Sequence, residues 1–178
     1  QMINIIKKRA MMGMAATVDN KDFDKVVPPL RWVGSAYSLL TRAVMSGVLV
    51  YLEEQKIAAN IVYFYEAGHA SQKESDAIML GVFKQPDAKK QYRYAGHAFV
   101  EKVGNPGIQA ADLIAWQWYT DRRHQLEGKP RRKDLESLID GPFYYAVHLD
   151  TDKLTQLVKG VEETARLNNL NPDDIAVM

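Results

Sequence analysis

Apolar residues along this chain fall into stretches of helical period separated by shorter runs of strand character, and the changes of period mark the elements. Ile3 to Ala10 reads as the end of a helix, and Gly13 to Val18 as a short strand followed by a polar turn at Asp19, Asn20 and Lys21. Pro28 and Pro29 precede a long helix predicted from Trp32 to Glu54, where Tyr37, Leu40, Val44, Val48 and Tyr51 recur on one face. Gly47 in its interior weakens it slightly. Ile61-Val62-Tyr63-Phe64-Tyr65 is a continuous apolar, β-branched and aromatic run without alternation. It predicts a strand covered on both faces, at the centre of an α/β sheet.

That run stops at Glu66-Ala67-Gly68-His69, and Ser71-Gln72-Lys73-Glu74 then has the form of a capping box opening a helix to about Lys84. Tyr92 to Val100 predicts another strand, and Pro106-Gly107 introduces a helix from about Ile108 to Gln125, broken by Pro130. Asp150-Thr151-Asp152 caps a last helix on which Leu154, Leu157, Val158 and Val161 share a face. Strands alternating with helices make the fold class α/β. The simplest division is a core over residues 1–125, then a basic loop and C-terminal helical extension over 126–178.

Composition narrows the class without naming a function. The 178 residues are 47% hydrophobic and 25% charged with no cysteine, which excludes a disordered or fibrous chain, a disulfide framework and a thiolate zinc site. No apolar run approaches the roughly 18 residues of a membrane span, and no secretory leader is recognisable, so a cytoplasmic protein without a membrane partner is expected. The chain opens on Gln1 and enters an apolar segment at once, which reads as a piece of a longer product. A net charge of +1 conceals opposite halves: residues 134–178 hold nine acids and three bases, so residues 1–133 carry +7. The densest basic segment is Arg122, Arg123, Lys129, Arg131, Arg132 and Lys133. It would attract a polyanion such as nucleic acid, or merely serve as a solvated loop.

Two carboxylates stand among apolar residues. Glu66 terminates the most hydrophobic strand, where open α/β sheets place ligands and catalytic groups. Asp112 lies in a helix apolar almost all round, on the face of Ile108, Gln109, Ala115, Trp116 and Tyr119. A buried ionised acid there needs a cation or several donors. Glu66 can also be the first exposed residue after its strand, and Asp112 can pair with an arginine. His69, His97 and Gln109 each have an ordinary structural explanation as well. Together, however, the two acids could converge on Mg²⁺ or Mn²⁺, which favour hard oxygen ligands and suit phosphoryl-transfer hydrolysis.

Tyr65-Glu66-Ala67-Gly68-His69 and Gly107-Ile108-Gln109-Ala110-Ala111-Asp112-Leu113-Ile114-Ala115-Trp116 resemble the domain of unknown function 3800 family, over roughly residues 1–125. Phe99-Val100-Glu101-Lys102 looks familial too. The resemblance implies a ribonuclease-H-like fold, a mixed five-stranded sheet flanked by helices. It implies Glu66 and Asp112 as metal-binding catalytic acids, with His69, Gln109 and Lys102 beside substrate or metal. Members begin with an Asp-Glu-Ser-Gly strand that this sequence lacks, and Asp19 matches no family motif.

A missing first strand would leave an open sheet edge, which invites homo-oligomers. Two functions follow as expectations. One is a Mg²⁺- or Mn²⁺-dependent nuclease, with Arg122, Arg123 and the rest of the basic segment steering the strand. The other is a non-catalytic nucleic-acid- or protein-binding module with an incomplete acid set.

Overall fold

The structure is a computed structural model that describes residues 2–27, 34–140 and 144–167. In chain order these form α1 (Met2–Arg9), β1 (Gly13–Val18), α2 (Asn20–Val26), α3 (Ala36–Glu54), β2 (Ile61–Glu66), α4 (Gln72–Lys84) and α5 (Pro86–Gln91). Then follow β3 (Tyr94–Val100), α6 (Pro106–Leu126), α7 (Lys133–Ile139), β4 (Tyr144–Leu149) and α8 (Thr151–Leu167). The α/β class holds, but the described strands form two separate parallel pairs, β1 with β4 and β2 with β3, rather than one five-stranded sheet.

β1 runs in register with β4 from Gly13 opposite Tyr144 to Val18 opposite Leu149, and both faces of the pair are covered. Successive side chains point to opposite sides. On one side Val18 and Leu149 join Phe23, Val27, Leu39, Leu154 and Val158 in a core shared with α2, α3 and α8. On the other, Ala15 meets Ile6, Ile114, Leu135 and Leu138 from α1, α6 and α7. A side chain at Gly47 would collide with Met14, so the glycine marks the close approach of α3 to β1.

β2 and β3 bury one face only. Tyr63 and Tyr65 pack with Tyr94, Met45, Met79 and Val82 against α3 and α4, whereas Val62 and Phe64 on the other face are 48% and 58% exposed. The expectation of a central strand covered on both sides is therefore corrected. An unalternating apolar run reports hydrophobicity on two faces; it does not guarantee that a second layer is present.

Several boundaries shift for local reasons. The polar turn at Asp19 is an N-cap: its carboxylate accepts from Lys21 N–H at 2.8 Å and opens α2. α3 begins at Ala36 with Ser35 as its cap, and Pro28, Pro29 and Trp32 lie outside the described residues. Its buried positions are Ser38, Leu39, Met45, Tyr51 and Leu52, so the buried face is rotated from the expected stripe, of which Tyr51 is buried and Leu40 packs half-buried against the core.

α4 starts as expected, but the capping box does not close. Ser71 makes no side-chain cap, and Glu74 instead accepts from the Ser35 hydroxyl at 2.5 Å and from that of Ser38. Residues 126–178 are more than a loop and a helical extension: α7 and β4 lie there, and β4 completes the sheet of β1. The side chain of Val161 is outside the described set. Among the described residues no helix is long and apolar enough to cross a membrane.

Candidate functional site

Glu66 ends β2 opposite Val100 of β3, and the chain then turns through residues 101–105 into α6. Gly104 takes φ +81°, a left-handed backbone that glycine adopts without strain. Asn105 Nδ2 donates to Glu101 O at 2.6 Å, and Pro106 fills the first turn of α6, where no N–H partner is needed. Gln109 Nε2 donates back to Lys102 O at 3.0 Å. Three residues on, Asp112 accepts from Lys102 Nζ at 2.5 Å. Neighbouring positions on one helix face thus hold the lysine by its main chain and its side chain.

The Asp112 hydrogen bond raises the Lys102 pKa above the usual ammonium value; burial opposes the shift, and the negative charges of Asp112 and Glu66 add to it. Both acids therefore act on one cation, and that cation belongs to the protein. Lys102, Val103, Gln109, Asp112 and Trp116 line a cavity of about 490 Å³ beside them.

Four of the expected site residues, Glu66, Lys102, Gln109 and Asp112, are thereby gathered, though not as a buried acid pair. The Asp112 side chain is 53% exposed, so the desolvation that seemed to call for a metal is absent. The donor set does not fit a divalent centre. Mg²⁺ or Mn²⁺ would have to displace an ammonium already bonded to Asp112. Among the described residues no group of three or more His, Asp or Glu could hold a metal ion.

The remaining candidates are elsewhere or compensated. His69 is exposed, accepts from Ser71 N–H through Nδ1 at 3.1 Å and stacks on Tyr37 of α3. Arg122 turns to the β1–β4 sheet and donates to His148 Nε2 at 3.1 Å. Arg123 lies 3.9 Å and Lys129 2.6 Å from Glu127. Arg131 forks onto Asp121 with both bonds at 2.9 Å, and Arg132 onto Asp134. The Asp134 carboxyl is held far below the usual range, first by Arg132 and then by Gln117. Much of the basic segment is spent on structural pairs, which weakens it as a steering patch.

α6 is also inside out over its second half. Gln117, Thr120 and Asp121 are buried, while Trp116 and Tyr119 are 47% and 62% exposed. Arg132 lies 4.9 Å from the centre of the Trp116 ring. Sequence reasoning placed Asp112, Trp116 and Tyr119 correctly on one face but took that face to be buried. Arg123, one turn past Tyr119 on the same stripe, is the signal that it looks outward. A second unforeseen chain runs from the Tyr94 hydroxyl to His97 Nδ1 at 2.5 Å, and from His97 Nε2 to Asp76 at 3.2 Å. It fixes the imidazole between β3 and α4 rather than leaving it on an exposed strand. Comparison of the chain with family models, with curated proteins and with solved structures returns no match.

Proposed function

We propose that this chain is a non-catalytic nucleic-acid-binding module that takes single-stranded segments across the outer face of α6. Exposure of Trp116 and Tyr119, on a helix that buries glutamine, threonine and aspartate instead, carries the reading. Two exposed rings one turn apart form a stacking platform for bases, with the Arg132 guanidinium over the Trp116 ring and Arg123 one turn past Tyr119 as the nearby cations. Lys102 is already bonded to Asp112, so the reading calls for no metal.

The experiment is fluorescence anisotropy with a labelled oligothymidylate or oligouridylate of about 20 nucleotides, in EDTA, over about 50 to 200 mM salt. Binding should survive EDTA and weaken as salt rises, and Trp116→Ala or Tyr119→Ala should each cost roughly tenfold in affinity. Binding that both variants leave unchanged would overturn the proposal.

A second reading, the metal-dependent nuclease suggested by the family resemblance, would require a divalent cation to displace Lys102 from Asp112. Cleavage of the same oligonucleotides that appears with Mn²⁺ and disappears in a Glu66→Ala, Asp112→Ala double variant would establish it and displace the first.

A further inference from the structure

β1 offers a second place to bind. Residues 12–17 all line one cavity of about 450 Å³. Side chains of a strand alternate between its faces, so six consecutive residues can border one space only along the backbone edge. The opposite edge of β1 is occupied by β4 through the whole strand, and among the described residues β1 pairs with nothing else. The walls of the cavity are Val44 from α3 on one side and, on the other, Gly107, Ala110, Ala111, Ile114 and Ala115 from α6 with Ile6 from α1 and Ala10 just after it. No charged residue lines it.

We infer that this slot accepts an extended, uncharged polypeptide segment of about six residues as a further strand on the free edge of β1. The ladder already formed with β4 continues across β1, because alternate residues of a parallel strand direct their N–H and C=O groups to opposite edges. Those facing the slot are matched by another backbone and by no compact ligand. Helices on both sides are the surroundings of an interior parallel strand, which selects a parallel segment. Gly107, Ala110, Ala111 and Ala115 leave room beside Ile114 and Ile6 for valine or isoleucine, and Val44 bounds the other side.

The test is amide hydrogen exchange on the full chain with a capped octapeptide of alternating valine and isoleucine between terminal lysines. Its counterpart carries prolines at two central positions and cannot complete a ladder. The first peptide should slow exchange within residues 13–18 by about tenfold or more, and the proline peptide should not. Ala111→Phe, which fills the slot from an exposed helix position, should abolish the protection while the variant melts no lower than the parent. Absence of protection, or equal protection by both peptides, overturns the inference. Protection that grows with protein concentration in the absence of peptide assigns the slot to a second copy and also overturns it.

Discussion

Arg122 donates to His148 Nε2, so that nitrogen carries no proton, and His148 Nδ1–H is left to donate to Thr17 Oγ1 at 3.1 Å; the tautomer is assigned from this network. Burial first, and the Arg122 charge next, depress the His148 pKa below its ordinary 6.5; Lys153 acts in the same sense, and Asp150 and Asp22 oppose. A depressed folded-state value means that the neutral ring stabilises the fold above the unfolded pKa, and that this stability is lost as pH falls through the folded value. The urea midpoint should therefore drop between about pH 7 and pH 5, and His148→Gln should flatten that limb. The Asp121–Arg131 pair should be asymmetric. Asp121 is 2% exposed while the Arg131 side chain is 38% exposed. Arg131→Ala leaves the buried carboxylate to the Gln125 amide, without a countercharge, and should cost about 2–4 kcal/mol after allowance for solvent screening. Asp121→Ala leaves a guanidinium that can reach water and should cost less, about 1–2 kcal/mol. Urea denaturation of the two single variants checks the order.

At the scale of elements, two glycines on the faces of β1 make opposite predictions. A methyl group at Gly13 would strike the Tyr144 ring, whose hydroxyl is buried, so Gly13→Ala should destabilise by about 1–3 kcal/mol. At Gly47 the obstacle is the flexible end of Met14, and alanine also gains about 1 kcal/mol of helix propensity. Gly47→Ala should stay within about 1 kcal/mol of the parent in chemical denaturation. Most elements with a strong local signature were legible: β1 and α4 have their expected bounds, and α6 differs by a residue or two at each end. α5 and α7 were not, because six or seven residues give too little periodicity to rise above the breaks at Pro86 and Pro130. β4 was hidden by its short, mixed pattern and by a pairing partner about 130 residues away in β1. In the site, the partnership of Lys102 with Asp112 was invisible for a related reason: a turn brings the lysine back onto the helix, and periodicity along α6 says nothing of that turn.

At the scale of the whole molecule, the chain closes on itself through the segment that looked like an extension. Leu135 and Leu138, both at 0% exposure, meet Ile6, while Leu149, Leu154 and Val158 fill the core around Phe23, Val27 and Leu39. Burial of five such side chains is worth about 1.5–3 kcal/mol each, or about 7–15 kcal/mol together. That is comparable to the entire stability of an ordinary domain, about 5–15 kcal/mol. A chain ended at residue 125 also loses the β4 ladder, leaving β1 without its only strand partner among the described residues. Such a chain should show no cooperative thermal transition by circular dichroism and should elute as an expanded or associated species. A sharp transition near that of the full chain would mean that residues 1–125 fold alone, and that β4 is an addition to the domain rather than one of its inner strands.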